Sequence, residues 1–286
     1  MNLPYRWDLV APDQLGSLLD GLAVPPEPWY LEDLTECAGK VLARSGNGDL
    51  VFVGRSLDSM FDLLSSALPD RNLARLPVSF QRGRAIAHAD VPRARELAAE
   101  IGITPASLAW RDRPVTFVDV VYHGSTFTKL FTLLDDWIAE ERETRPVIRR
   151  KLRFVGVTQR TKTSPNIWRW QQHTEWTRRL PASAVVNVSL HEVVWSYFGD
   201  YQNKLTWSYQ LHRWREYLHE AKHDERTRMA LAEAVHLVSL GRTREVRRMI
   251  ARGIDGEPAL SEPWLRTLFR QLSSTSARNP LRRCAP

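Results

Sequence analysis

One stretch near the middle of the chain combines an acid, a glycine and hydroxyl side chains directly after a run of apolar residues. The apolar run Val115–Val121 predicts a buried strand that carries Asp119, and a short turn containing Gly124 follows. A helix is predicted from Ser125, and the first backbone N–H groups of a helix have no helical partners and attract anions. Glycine has no Cβ, so an anion can approach the turn closely. Further donors for an anion are the hydroxyl groups of Ser125, Thr126 and Thr128.

Apolar runs alternate with amphipathic helical patterns, which predicts an α/β fold with a mainly parallel sheet flanked by helices. The predicted strands are Leu50–Gly54, Leu76–Phe80, Val115–Val121, Arg153–Thr158 and Ala184–Ser189. Helices are predicted at residues 13–19, 31–44, 56–68, 91–101, 125–143, 205–222, 224–240, 242–252 and 261–272. Because parallel strands end at one edge of a sheet, the loops 54–56 and 122–126 are expected to share a cleft.

The same pattern divides the chain into three parts. Residues 1–47 form an N-terminal helical extension, residues 48–199 an α/β core, and residues 200–286 a helical cap with a frayed tail. No flexible linker marks the boundary near residue 200, so the cap is expected to pack against the core.

The central stretch resembles the signature of the type I phosphoribosyltransferases. That signature has four apolar strand residues, two acids, two further residues, a small or polar pair, glycine, any residue and threonine. This chain reads Phe-Val-Asp-Val-Val-Tyr-His-Gly-Ser-Thr from Phe117 to Thr126. The resemblance implies a phosphoribosyltransferase-like fold in which Asp119 meets the ribose hydroxyls of phosphoribosyl pyrophosphate. Val118 stands where the family has its first acid, and this departure puts catalysis in doubt more than the fold.

The resemblance covers about residues 48–190 and includes a second loop. In the family, an earlier strand ends in a pyrophosphate-binding loop, and Gly54-Arg55-Ser56 matches that loop in outline. The planar guanidinium of Arg55 could hold a pyrophosphate. Residues 81–90 lie where the family has a mobile lid, with Arg82, Arg84 and His88 as candidate contacts.

The site residues that the resemblance implies fall into three groups. The catalytic candidates are Asp119, Tyr122 and His123; the phosphate-binding candidates are His123, Gly124, Ser125, Thr126 and Thr128; the pyrophosphate-binding candidates are Arg55 and Ser56. Mg²⁺ would enter with the substrate, and Asp119 could contact it. Replacing Gly124 by valine is expected to block the phosphate and leave the fold largely intact.

Charge is distributed unevenly along the chain. Residues 142–182 contain 11 Lys/Arg and 2 Asp/Glu, and the whole chain carries +7. A basic half suits an anionic partner such as a nucleotide, a phosphorylated sugar or nucleic acid, although a solvated basic surface explains the same charge.

Other function classes are disfavoured. No window approaches the roughly 20 apolar residues of a membrane span, and the N-terminus lacks the pattern of a secretory signal. Cys37 and Cys284 are too far apart in the sequence to suggest a disulfide framework or metal cluster. These features predict a cytoplasmic protein without a membrane partner, and a homodimer stays open.

Three hypotheses about function follow. The first is a pentosyltransferase that transfers phosphoribose from phosphoribosyl pyrophosphate to an unidentified acceptor. The second is a non-catalytic protein of the same fold that senses a nucleotide or regulates by binding nucleic acid, which Val118 favours. The third, a nucleotide-dependent Rossmann-like enzyme, lacks the glycine fingerprint. A purely structural alternative is a doubly wound sheet in which Asp119 only caps the next helix.

Overall fold

The computed structural model describes residues 3–21, 28–80, 85–160, 169–209 and 220–274. They contain one parallel sheet, formed by β1 (Asp49–Val53), β2 (Leu73–Leu76), β3 (Val115–Val120), β4 (Leu152–Gln159) and β5 (Val185–Leu190). Its helices are α1 (Leu31–Arg44), α2 (Asp58–Ala67), α3 (Val91–Glu100), α4 (Pro105–Trp110), α5 (Ser125–Glu140), α6 (Arg145–Lys151), α7 (Glu192–Ser196), α8 (Glu225–Arg242), α9 (Arg244–Ile254) and α10 (Pro263–Ser273). The predicted α/β fold with a mainly parallel sheet is confirmed.

The strand order is β2-β1-β3-β4-β5, and every neighbouring pair is parallel. The chain leaves β1 toward β2 and leaves β3 toward β4, so the two crossovers diverge between β1 and β3. Open α/β sheets bind ligands outside the carboxyl ends of their strands at such a switch point. The topology therefore brings the loops after β1 and β3 to the place where a ligand site is expected.

Both faces of the central strands β1, β3 and β4 are largely buried, which explains why these strands are mainly apolar. On one face, Leu50, Phe52 and Val118 pack with α1 and α2. On the other face, Phe117 and Phe154 pack with α3, α5 and an aromatic cluster from the segment before β5. Burying one such side chain stabilises the fold by about 1.5–3 kcal/mol.

Helices α8 and α9 have their main contacts with α2 and α1 rather than with the strands, so they form an outer helical layer. A Cβ on Gly253 of α9 would lie 2.6 Å from the carbonyl oxygen of Glu36, and a Cβ on Gly39 would lie 2.4 Å from that of Ile250. The missing side chains let the two helix backbones touch. Buried residues of α9 and α10 share one apolar cluster with α1 and the sheet. The three-part division of the chain stays a prediction.

Three predicted elements differ from the structure where it describes them. The second strand is Leu73–Leu76 rather than Leu76–Phe80, because Pro77 has no N–H to donate to a ladder. The described ends of the helix predicted at 205–222, residues 205–209 and 220–222, are not helical, while its middle, residues 210–219, lies outside the described residues. The first helix is only a 3₁₀ turn, Pro12–Leu15, which ends at Gly16 with φ +50°.

Helices α4, α6 and α7 escaped prediction because each has seven residues or fewer, which is too short for a clear period. Within the described residues, no helix combines the length and apolar character that a membrane crossing needs.

Candidate functional site

The loops after β1 and β3 lie side by side and line one cavity of about 250 Å³. From the loop after β1 come Gly54, Arg55 and Ser56, and from the end of β3 and the start of α5 come Asp119 and Thr126. The predicted cleft is thus present. The other described residues that line it are Val53, Val78, Ser79, Gly199, Asp200, Gln202, Lys204, Ser208 and Tyr209.

Asp119 is a buried carboxyl at the carboxyl end of β3, with 6% of its surface exposed. The backbone N–H of Val120 donates to its Oδ1 at 2.8 Å, and the Thr126 hydroxyl also bonds to the carboxyl. Burial raises its pKa to about 8, against the weaker opposite effect of these two hydrogen bonds. Asp119 therefore carries a proton at neutral pH when the cavity holds no cation, and it can donate a hydrogen bond.

Gly124 directly precedes α5 and has the left-handed conformation, with φ +73°. A Cβ at this position would lie 2.3 Å from Cε3 of Trp170, so the indole fills the space that a side chain would need. Trp170 is 2% exposed, and its Nε1 donates to Oδ1 of Asn187 at 2.9 Å. Packing against Trp170 therefore requires glycine at this position, independently of any ligand of the turn. The expectation that a valine there leaves the fold intact is wrong for this reason.

The remaining predicted residues of the turn lie outside the cavity lining. Thr128 donates its hydroxyl to the Gly124 carbonyl at 3.0 Å and accepts from Nε1 of Trp176 at 3.0 Å. Tyr122 is 54% exposed and packs edge-on against His123, with ring centroids 4.3 Å apart. Ser125 is half-buried at the first position of α5.

Arg55 is partly buried beside the cavity, and burial lowers its pKa. Its Nη1 donates to the backbone carbonyl of Thr206 at 2.7 Å, which is the only hydrogen bond of this side chain to the described residues. A guanidinium has five N–H donors, so this single bond leaves capacity for a ligand. Ser56 follows it, and its carbonyl accepts from Lys204 at 3.4 Å.

Residues 202–209, called the covering segment below, close the cavity from the other side. Ser79 donates its N–H to the Tyr209 carbonyl at 2.9 Å, and Nη2 of Arg75 donates to the Tyr209 hydroxyl at 2.5 Å. Gln202 reaches from this segment to the Glu233 carboxylate on α8 at 2.7 Å. The covering segment is therefore tied both to the sheet and to the outer helical layer.

Lys204 of the covering segment is the functional candidate that sequence reasoning missed. Its Nζ lines the cavity and donates to the Phe198 carbonyl at 2.9 Å and to Oε1 of Gln202 at 2.7 Å. Burial lowers its pKa to about 8. The available signal was weak: Lys204 is the only lysine or arginine between Arg179 and Arg213. With Arg55 it gives the cavity two cationic side chains.

Val118 is fully buried in the apolar cluster between the sheet and α1. An acid at this position would enter that cluster, so the cavity has a single carboxyl from β3 itself. Asp200, which is exposed, supplies a second carboxyl at the rim. No group of three metal-ligating side chains occurs among the described residues. Of the candidate lid contacts, His88 is exposed in a 3₁₀ turn, while Arg82 and Arg84 lie outside the described residues.

A prediction follows from the contact between Gly124 and Trp170. Gly124→Ala should destabilise the protein by about 2–5 kcal/mol, since it combines left-handed strain with a clash against the indole. Gly102→Ala is the matched control, because Gly102 has the same φ of +73° and nothing within 4 Å of an added Cβ. Denaturant unfolding of both variants measures the difference. Equal losses would show that Trp170 does not restrict this turn.

The raised pKa of Asp119 predicts a dependence of stability on pH. Between about pH 4 and pH 8 the carboxyl of Asp119 is ionised in the unfolded chain but keeps its proton in the folded protein. The free energy of unfolding should then fall as pH rises, by at most about 1.4 kcal/mol per pH unit from this group. Asp119→Asn removes the contribution, so the variant should gain stability relative to the parent over that range. Parallel pH profiles of the two proteins would contradict the buried, protonated carboxyl.

Comparisons with protein-family models, curated proteins and solved structures gave no match for this chain.

Proposed function

We propose that the cavity binds phosphoribosyl pyrophosphate and that the protein transfers its phosphoribosyl group to an acceptor. One observation carries the proposal. One cavity at the switch point of the sheet is lined both by Arg55 and Ser56 and by Asp119 and Thr126. The family resemblance implies that the first pair binds pyrophosphate and the second pair binds ribose phosphate. Ligands bind at that point in open α/β sheets.

Each part of the ligand has a complementary partner in this arrangement. The 5′-phosphate binds at the start of α5. The first N–H groups of this 16-residue helix and the positive end of its dipole point toward the phosphate. The ribose hydroxyls meet Asp119. The departing pyrophosphate is neutralised by Arg55 and Lys204, the two cationic side chains among the described residues of the lining.

The transfer asks little covalent chemistry of the protein. The bond from the anomeric carbon to pyrophosphate breaks, pyrophosphate leaves with the electron pair, and a bond from the anomeric carbon to the acceptor forms. The acceptor loses its proton to a base. Positioning and charge stabilisation supply the rate enhancement. Tyr122 and His123 are exposed and lie outside the described lining of the cavity, so this proposal does not assign the base to either of them.

Magnesium enters as the complex with the substrate. It suits a site with one or two carboxylates, because Mg²⁺ takes most of its other ligands from water and phosphate oxygens. Asp119 and Asp200 are those carboxyl groups. A cation beside Asp119 favours its ionised form and so opposes the effect of burial on its pKa.

The cavity must widen to admit this ligand. Its volume of about 250 Å³ lies below the roughly 300–1,000 Å³ of typical small-molecule sites. The covering segment is the movable wall in this proposal, since the bond from Arg55 to Thr206 is one that a pyrophosphate can replace. A cytoplasmic location belongs to the same proposal, and the only described cysteine, Cys37, is buried and free.

A second candidate function is supported by Val118. With Val118 in the apolar cluster, the cavity has one carboxyl on β3 where an active phosphoribosyltransferase would have two. The protein would then bind the same ligand as a sensor without transferring it.

Titration with magnesium-bound phosphoribosyl pyrophosphate, followed by tryptophan fluorescence, tests the shared claim of binding. Arg55→Gln should weaken binding roughly ten- to a hundredfold, because it removes a charge-assisted hydrogen bond of about 1.5–3 kcal/mol. Arg71→Gln is the matched control: Arg71 is also largely buried and donates to a backbone carbonyl, that of Gly48, but lies outside the cavity.

No binding by the parent protein, or equal losses in the two variants, would contradict the proposal. Release of pyrophosphate from the bound ligand would identify a transferase, and binding without release would identify a sensor.

A further inference from the structure

A second concave surface lies in the outer helical layer, far along the chain from the loops that line the cavity. It is an open groove of about 770 Å³ between α9 and α10. The described residues that line it are Arg244, Glu245, Arg248, Ala251, Arg252, Asp255, Phe269 and Ser273. None of them lines the cavity at the switch point. A ligand of this groove would therefore bind at a place separate from the cavity of the proposed transferase.

Three arginines of α9 form a row along this groove. Arg244, Arg248 and Arg252 are four residues apart, so they share one face of the helix at intervals of about 6 Å. All three are exposed, and none has a hydrogen bond or ion pair to a described residue. Arg247, one position away on another face, donates instead to the Gln271 carbonyl at 2.6 Å. No described residue therefore forms a direct ion pair with the row.

Helix α9 holds this row in a fixed place. Its opposite face is buried against α1, where the two helix backbones touch at Gly39 and Gly253. This close contact prevents α9 from sliding along α1. The N–H of Val246 donates to the Thr243 hydroxyl at 3.3 Å and caps the first turn. A charged row on a rigid element loses less entropy when it binds an extended ligand than the same residues on a loop would lose.

The groove combines this row with an aromatic side chain. Phe269 of α10 is partly exposed in the groove while packing against the core. Glu245 and Asp255 also line the groove, so its net formal charge is only +1, but neither acid pairs with an arginine of the row. The surrounding sequence is basic: residues 242–286 contain 10 Lys/Arg and 4 Asp/Glu.

We propose that the groove between α9 and α10 binds single-stranded nucleic acid. Phosphates of the strand contact Arg244, Arg248 and Arg252 in turn, and a base stacks on Phe269. Regularly spaced cations beside an aromatic ring are the combination that non-specific single-strand sites use. The tail of this chain is a poorer occupant, because residues 275–286 contain three arginines and no acid and would be repelled by the row.

The test is fluorescence anisotropy with a labelled oligothymidylate of about 15 nucleotides, titrated between about 50 and 200 mM salt. The triple variant R244E/R248E/R252E should bind at least about tenfold more weakly at the lowest salt. It should also reduce the slope of log affinity against log salt by about 2, because each lost phosphate contact on a single strand removes about 0.7. Phe269→Leu should weaken binding several-fold and leave that slope unchanged, since stacking releases no counterions.

The matched control is R113E/R150E/R178E, which makes the same change of charge at exposed arginines that also lack a described partner and lie outside the groove. The control should keep most of the affinity. Three results would overturn the proposal: no binding by the parent protein, an equal loss in the control, or an unchanged salt slope in the α9 variant. Binding of phosphoribosyl pyrophosphate should survive in the α9 variant, so failure of the groove and failure of the cleft can be told apart.

Discussion

The indole of Trp170 occupies the space beside Gly124 that any other residue would need for its side chain. This contact fixes the turn between β3 and α5 from below. It also sets the start of α5 and the direction of its first N–H groups. Trp170 is held in turn by Asn187 at the end of the aromatic cluster, so the turn rests on a rigid base. An anion site built from backbone groups depends on such rigidity, because its donors cannot adjust as side chains do.

The cavity is assembled from two distant parts of the chain. The loops after β1 and β3 supply Arg55, Asp119 and Thr126, while the covering segment supplies Lys204 and Tyr209. The covering segment is anchored through Gln202 to Glu233, a carboxylate that also accepts hydrogen bonds from Tyr30 and Tyr197. Helix α8 therefore contributes to the site without entering it. This dependence gives the C-terminal region a role in positioning the wall of the cavity.

Local sequence patterns identified the parts of the site that lie on the sheet. The buried runs of β1 and β3 predicted adjacent strand ends, and hence a cavity with Arg55 and Asp119 on its walls. Lys204 could not be found in this way, because it reaches the cavity only through tertiary packing of a segment with no period of its own. The contact of Trp170 with Gly124 could not be predicted either, because the two residues are 46 positions apart and meet only in the folded protein. Pro77, in contrast, was visible in the sequence. Because proline has no N–H for a ladder, it already indicated that the second strand could not continue from Leu76 to Phe80.

In the proposed function, ribose phosphate binds at the turn after β3. Amide hydrogen exchange of residues 119–128, measured with and without saturating ribose 5-phosphate, tests it most directly. We expect slower exchange at the turn and the first amides of α5, because bound phosphate accepts hydrogen bonds from those N–H groups. We expect no change at the turn around Gly102, which has the same φ and lies outside the cavity. Unchanged exchange at residues 122–127 under saturating ligand would show that ribose phosphate does not bind at this turn.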